Sequence, residues 1–217
     1  MKKYFPFLLI GLVLLLDQLL KFWVKANMQL GTEINMIGDW AILHFTENNG
    51  IAFGLEFDWP MGKLFLTFFR ILAASFILYY LLRLRKYNTS EGLVISVALI
   101  FAGAMGNIID SIFYGEWFKE INSYPGGIFH GRVVDMFYFP ILEGVYPEWV
   151  PFVGGEDYIF FRPVFNIADT AITVGVLMIL FFFRKSLKSP DKLGEDQPQS
   201  YSREVEEPQV IAEEKHN

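Results

Sequence analysis

Two aspartates lie where a carboxylate needs a partner or a chemical task. Asp169 closes the stretch Phe165–Asp169, directly before an almost wholly apolar run over residues 171–183. Asp135 lies among apolar neighbours further upstream. A carboxylate carried into hydrocarbon costs a few kcal/mol. Two close carboxylates share a proton, so one can take a proton from water while the other protonates a carbonyl oxygen.

Other catalytic chemistries find little support in the sequence. There is no cysteine, which excludes a thiol nucleophile, a disulfide framework and a Cys-ligated metal site. The three histidines, His44, His130 and His216, are too scattered for the usual ligand spacings, so no metal or other cofactor is expected. No P-loop, Gly-x-Ser-x-Gly or His-Glu-x-x-His motif occurs. A pair of acids is therefore the strongest catalytic hypothesis.

The same acids also have purely structural interpretations. Asp169 could be a helix N-cap, a role that suits aspartate. Asp135 could pair with Arg132, three residues earlier. Asp17 and Lys21 are four residues apart with the acid first, the orientation that favours an ion pair within a helix. The residues alone leave these alternatives open.

Further polar residues lie in or beside the apolar runs. Asn107 and Asp110 fall in a predicted membrane helix and need polar partners there. Arg70 lies near one end of another predicted span, where it could either extend its head group to the interface or join a site. Asn48 and Gly50 could be nothing more than a turn, since Asn and Gly dominate turns.

The composition is typical of an integral membrane protein. Of the 217 residues, 53% are hydrophobic, and the mean hydropathy is +0.33. We expect an all-α fold with four transmembrane helices at about residues 4–24, 64–82, 92–110 and 164–183, each near the ~20 residues that cross a ~30 Å core. The first run could be a signal peptide, but it continues past Asp17 and no small-x-small cleavage site follows.

Loop charges predict the orientation in the membrane. Cations cluster near helix ends on one side: Lys2, Lys3, Arg83, Arg85, Lys86, Arg184, Lys185 and Lys188. The two long loops on the other side have few such cations and many acids. The positive-inside rule then predicts cytoplasmic termini and outward-facing loops. This topology brings Asp17, Asp135 and Asp169 to the outer surface.

The outer loops are predicted to contain small elements. Thr32–Asn35 and Trp40–Thr46 predict a β-hairpin around a Gly-Asp turn. Asn48–Gly54 predicts a turn that leads into an amphipathic, interfacial helix. The second loop, Ser111–Arg162, is rich in Gly, Pro and aromatic residues, and we expect it to be partly ordered along the membrane surface.

The chain is expected to divide into a membrane-embedded domain, 1–189, and a cytoplasmic tail, 190–217. The net charge of the chain is −6, and eight acidic and three basic residues from Asp191 onward account for −5 of it. Because the tail is polar and nearly free of aromatic residues, we expect it to be disordered. The almost neutral body gives no indication of a nucleic-acid partner.

Together these residues resemble the bacterial lipoprotein signal peptidases (signal peptidase II), a family of membrane aspartic peptidases. The resemblance covers about residues 4–185. It rests on five blocks in the family's order: Asp17-Gln18-x-x-Lys21; Asn48-Asn49-Gly50-Ile51-Ala52-Phe53; Gly103-x-x-Gly106-Asn107-x-x-Asp110; Val133-Val134-Asp135; and Phe165-Asn166-x-Ala168-Asp169. Each block alone is weak, whereas all five in order on a four-span chain are highly specific.

The resemblance implies that Asp135 and Asp169 are the catalytic pair. It also implies that further residues bind substrate or shape the site: Asp17, Lys21, Asn48, Gly50, Asn107, Asp110, Asn166 and Ala168. The implied substrate is a prolipoprotein bearing a diacylglyceryl cysteine, cut just before that cysteine in the bacterial inner membrane without a metal. Membrane lipids and a monomeric state complete the expectation.

A ridge of small residues on the third predicted helix, Ala98, Ala102 and Gly106, lets a neighbouring helix approach closely. We expect this ridge to be available to a signal-peptide helix.

The sequence departs from the family pattern at three places. Ser111 follows Asp110 where the family usually has Arg, so either Arg132 or another cation takes over that contact, or the substrate is positioned differently. The segment 111–162 is longer than the compact family pattern. The acidic tail lies outside the resemblance.

Two other function classes compete with a peptidase. A transporter or scaffold with a proton or ion path would distribute its acids through the membrane depth, whereas the acids here cluster at one surface. A lipid-phosphate hydrolase would need a basic, histidine-rich outer face, whereas this one is rich in acids.

Overall fold

The computed structural model describes residues 4–49, 61–87, 89–140, 143–159 and 163–184. Within these residues the chain forms four α-helices and six short strands. The helices are α1 (Phe5–Asn27), α2 (Gly62–Lys86), α3 (Glu91–Trp117) and α4 (Ile167–Met178), the last continued by a π-helical turn, Ile179–Phe183. The strands are β1 (Glu33–Ile37), β2 (Ala41–Asn48), β3 (Val133–Tyr138), β4 (Glu143–Val145), β5 (Asp157–Ile159) and β6 (Val164–Phe165).

Three of the helices, α1, α2 and α3, are long and apolar enough to cross a membrane. The stretch Ile167–Phe183 is a shorter apolar helix. Large hydrophobic side chains remain exposed along the outer faces, such as Leu8 on α1 and Phe68 on α2. Apolar faces of this size suit a hydrocarbon surrounding rather than water.

Helix α3 extends beyond the predicted end at residue 110. Gly115 lies within the extension, and a loop from Gly126 to Gly131 packs directly against it. The backbone of this loop donates to two helix carbonyls, from Phe129 to Ile112 over 2.8 Å and from Gly131 to Ser111 over 3.0 Å. A Cβ atom at Gly115 would collide with this backbone, so a glycine is required for the close approach.

The predicted ridge on α3 is covered by the protein's own helices. Ala98 and Ala102 are fully buried in a core formed with residues of α1 and α2. A Cβ atom at Gly106 would contact Asp17 of α1 and Ala168 of α4. The expectation that this ridge is available to a substrate helix is therefore wrong, because α1, α2 and α4 already use the close approach that small residues permit.

The strands form a four-stranded antiparallel sheet in the order β1-β2-β3-β6 and a separate β4-β5 hairpin. The predicted hairpin is confirmed, with Glu33 opposite His44. The all-α prediction understates the sheet, because β3 pairs with β2 across a long sequence separation. Thr46 faces Asp135 in that pairing, so one predicted catalytic acid lies on a strand.

A second apolar core joins the sheet to the helices. It comprises Val24 and Met28 from α1, Leu43 and Phe45 from β2, Tyr114 from α3, and Val134 and Met136 from β3. Burial of these side chains holds β3 against the outer part of α3. The sheet is consequently packed closely against the helix bundle.

Several predictions fall outside the described residues. These are the turn at Gly50, the interfacial helix that was expected to follow it, and the acidic tail.

Candidate active site

The two predicted catalytic acids meet where strand β3 passes the start of helix α4. Strand β6 pairs with β3, Phe165 opposite Phe137, and leads directly into α4. Asn166 follows β6 directly, and Asp169 lies in the first turn of α4. Asp135 is buried, whereas Asp169 is partly exposed.

One side chain, Asn166, connects the two acids. Its Nδ2 donates to Oδ1 of Asp135 over 2.7 Å, and its Oδ1 accepts from the backbone N–H of Asp169 over 2.8 Å. Asn166 is therefore the N-cap of α4, which corrects the alternative that Asp169 is the cap. Asp169 instead lies in the first helical turn, where the helix dipole favours a negative charge.

The electrostatic surroundings distinguish the two carboxyl groups. Burial, reinforced by the charge of Asp169, raises the pKa of Asp135 to about 7, against the opposing effects of Lys21 and of hydrogen bonds from Asn48 and Asn166. Asp169 accepts a hydrogen bond from Nδ2 of Asn107 over 2.8 Å. Asp135 therefore keeps its proton to a higher pH than an ordinary aspartate does.

Behind the pair lies a buried lysine with two carboxylates. Nζ of Lys21 contacts Oδ2 of Asp17 at 2.9 Å and Oδ2 of Asp110 at 2.7 Å, with all three side chains almost completely buried. It also donates to Oδ1 of Asn107 over 3.1 Å. The predicted ion pair within α1 is confirmed, and α3 contributes the second acid. A buried lysine needs such partners to remain charged.

These charged groups also fix the backbone around the site. Oδ1 of Asp17 accepts from the backbone N–H of Ala168 over 2.9 Å, so α1 holds the first turn of α4. Oδ2 of Asp110 accepts from the backbone N–H of Val134 over 3.3 Å, which holds β3 one residue before Asp135. The predicted site residues thus include the groups that position both acids.

Two predicted site residues lie at the edge of this arrangement. Asn48 ends strand β2 opposite Val133 and hydrogen-bonds the carboxyl group of Asp135. Gly50 lies outside the described residues. Within the part of the chain that the structure describes, no group of three or more His, Asp or Glu residues could hold a metal ion.

Comparison with known proteins identifies the family of this arrangement. The family model described as "Signal peptidase (SPase) II" matches residues 9–184. The chain belongs to the signal peptidase II family. It is 46% identical over 190 residues to a lipoprotein signal peptidase of Porphyromonas gingivalis, covering 82% of each chain. It is 43% identical over 197 residues to that of Amoebophilus asiaticus, covering 87% of this chain and 82% of the relative.

Solved structures support the fold of this signal peptidase II chain. A bacterial membrane enzyme determined by the in meso method at 2.3 Å resolution matches with a TM-score of 0.58 at 24% identity, covering 84% of this chain and 88% of that one. A second such structure, at 1.9 Å resolution, matches with a TM-score of 0.54. The chain therefore shares the fold of these two structures.

The departure at Ser111 has a structural counterpart in this signal peptidase II chain. Nη1 of Arg70, from α2, donates to Oγ of Ser111 over 3.1 Å. Arg132 instead lies over the ring of Tyr124, 4.5 Å from its centroid, which argues against the alternative that it pairs with Asp135. The cation that contacts Ser111 is therefore Arg70 of helix α2.

Sequence analysis missed two polar groups that complete the network. Nε2 of Gln18 donates to Oδ1 of Asp110 over 2.9 Å, and Oε1 of Gln18 accepts from the hydroxyl of Tyr114 over 3.1 Å. Gln18 lies within the Asp17–Lys21 block, so its position in an apolar helix was the available signal. Tyr114 carried no such signal, because a tyrosine near a helix end is common at membrane interfaces.

Proposed function

We propose that this chain is an aspartic endopeptidase that removes signal peptides from diacylglyceryl-modified prolipoproteins. Cleavage occurs just before the lipid-modified cysteine, and Asp135 and Asp169 activate the attacking water. The observation that carries the proposal is the link through Asn166, which joins a buried acid to a partly exposed one. The relatives named lipoprotein signal peptidase supply the substrate class.

The acid with the raised pKa is the proton donor in this proposal. Asp135 begins protonated and gives its proton to the carbonyl oxygen of the scissile bond. Asp169 begins ionised, held by Asn107, and takes a proton from the water whose oxygen attacks the carbonyl carbon. The neutral diol that forms then loses the amine: the C–N bond breaks as Asp169 returns its proton to nitrogen, and Asp135 recovers a proton from the diol.

The residues around the acids have supporting roles in this proposal. A charged cluster lies behind the two acids and consists of Lys21, Asp17 and Asp110. The small side chain of Ala168 lets this cluster lie close to α4. Asn166 and Asn107 orient the carboxyl groups. Asn48, at the end of β2, lies toward the substrate side, and Gly50 is assigned a substrate-binding role. No metal or other cofactor takes part.

The proposed topology places this chemistry at the outer surface of the bacterial inner membrane. Residues 167–183 form the fourth crossing and would span about 25 Å at 1.5 Å per residue, which a locally thinned bilayer accommodates. The cation-rich helix ends, including the last turn of α2, then face the cytoplasm together with both termini. Acyl chains of the substrate lie in hydrocarbon while its peptide bond reaches Asp135 and Asp169. Residues 1–189 act as a monomeric catalytic domain among membrane lipids, and 190–217 form a cytoplasmic tail.

The test is cleavage of a diacylglyceryl-modified prolipoprotein by the full chain reconstituted in lipid. Asp135→Asn and Asp169→Asn should each lower kcat by at least about a thousandfold, since an acid pair acts as a unit. Near wild-type cleavage by either variant would overturn the pair. Asp39→Asn is the matched control, because Asp39 lies in the exposed β1–β2 turn and bonds only Asn35 among the described contacts.

The unmodified prolipoprotein supplies the substrate control. Equal rates on the modified and unmodified forms would contradict recognition of the diacylglyceryl group. Cleavage at any other bond would contradict the proposed position of the cut.

A further inference from the structure

Arg70 is the one charged residue of the sequence between positions 64 and 82, in the apolar stretch of helix α2 about two turns from its start. The other cations of α2 lie at its two ends, Lys63 at the start and Arg83, Arg85 and Lys86 in the last turn. A buried or half-buried cation inside a membrane helix is costly and calls for a partner. The side chain of Arg70 is partly buried and is directed toward α3.

Ser111 fixes the position of the guanidinium. Its Oγ donates to the backbone carbonyl of Asn107 over 2.8 Å, which orients the hydroxyl so that its lone pairs can accept from Nη1 of Arg70. Ser111 is almost completely buried, so this acceptor is shielded from competing water. The same Asn107 donates to Asp169, and a continuous polar path therefore runs from Arg70 to the acid pair.

The acids of the site interact with the charge of Arg70. Within the described residues, the charges of three site acids act on Arg70: Asp169, Asp110 and Asp135. The other cation behind the pair, Lys21, has its Nζ in contact with Asp17 and Asp110. Arg70 therefore adds a positive charge to the acids of the site beside that of Lys21, and the hydrogen bonds through Ser111 and Asn107 link it to Asp169.

We propose that Arg70 is a positioning residue for Asp169: anchored on Ser111, its guanidinium supplies a positive charge at the end of the polar path through Asn107 and so keeps the Asp169 carboxylate oriented toward the attacking water. The inference rests on the proposed function. Because the anchor is a serine beside Asp110, a cation carried by position 111 itself could occupy the same space when Arg70 is removed. The positive charge, and not the helix that carries it, is the essential feature.

Moving the cation tests this inference. In the reconstituted cleavage assay, Arg70→Gln should lower kcat by about tenfold to a hundredfold with little change in KM, the range expected for loss of one nearby opposite charge. S111R alone should give no gain, because Arg70 already fills the position. The double variant R70Q/S111R should recover most of the lost kcat. Arg83→Gln, at the other end of α2, is the matched control and should retain wild-type kcat.

Each outcome separates the inference from the proposed function. No cleavage by the wild-type chain would overturn both. Wild-type cleavage that Asp169→Asn abolishes but Arg70→Gln leaves intact would overturn the inference alone. So would a rise in KM at unchanged kcat, or a folded double variant as slow as Arg70→Gln. If the double variant does not fold, Arg70→Lys decides: it should be faster than Arg70→Gln, and equal rates would overturn the role of charge.

Discussion

The side-chain amide of Asn166 donates to Asp135 over 2.7 Å, while its oxygen caps helix α4 at the N–H of Asp169 over 2.8 Å. One residue therefore sets the geometry between strand β3, which carries Asp135, and helix α4, which carries Asp169. The capping role and the bridging role use different atoms of the same amide. Substitution can separate them.

Asn166→Ser should retain the cap but lose the bridge, because serine is a good N-cap and has no amide group to reach Asp135. We expect kcat for prolipoprotein cleavage to fall about a hundredfold, comparable to loss of one preorganised hydrogen bond. Thermal stability should also fall moderately, because the buried amide donates to the carbonyl of Val134 and to Oδ1 of Asn107 as well. Asn166→Ala should lose both, with a further destabilisation of about 1 kcal/mol. Turnover and thermal unfolding in detergent measure the two effects. Wild-type turnover by Asn166→Ser would show that the bridge to Asp135 is dispensable.

The pH dependence of cleavage follows from the pKa of Asp135, raised to about 7 chiefly by burial and by Asp169. A proton donor must be protonated, so its active fraction is high below pH 7 and falls about tenfold per pH unit well above it. Because kcat/KM reports the pKa values of the free enzyme, kcat/KM measured from pH 5 to 9 should decline on the basic side with a midpoint near 7. A flat profile up to pH 9 would contradict the assignment of Asp135 as the donor. Asp39→Asn should leave the profile unchanged.

Local spacing predicted some of these contacts and could not predict others. Asp17 and Lys21 are one helical turn apart, so their ion pair was predictable from the sequence. The second acid of Lys21, Asp110, arrives from α3 and depends on how two distant helices pack. The same holds for Arg70 and Ser111, which meet only because α2 lies beside α3.

Strand β3 illustrates a limit of a different kind. Polar and apolar residues do not alternate over positions 133–138 as they would in a half-exposed strand, because the first four side chains of β3 are all buried. The hairpin of β1 and β2 was predictable because its strands are joined by a short turn. The pairing of β2 with β3 is set by tertiary packing over a long loop, so the strand that carries Asp135 had no local signature.

Lys21 should be essential for folding as well as for the site. Lys21→Met would leave Asp17 and Asp110 buried without their cation, at an expected cost of about 3–5 kcal/mol. Lys119→Met is the control, because Lys119 and its partner Glu116 are both exposed and such a pair contributes at most about 1 kcal/mol. Thermal unfolding of both variants in the same detergent makes the comparison. Equal losses in the two variants would contradict a stabilising role for the buried cluster.

Gly103 should tolerate no side chain, although alanine is the better helix former. A Cβ atom there would collide with the backbone carbonyl of Ala168 and with the side chain of Ile172. Gly103→Ala should therefore displace the first turn of α4, costing about 1–3 kcal/mol through overpacking and about a hundredfold in kcat because Asp169 moves with that turn. Gly11→Ala is the matched control in α1, where a Cβ atom meets nothing within 4 Å. It should be neutral or stabilising by up to about 1 kcal/mol. If Gly103→Ala and Gly11→Ala have the same stability and the same kcat, the close contact between α3 and α4 does not position Asp169.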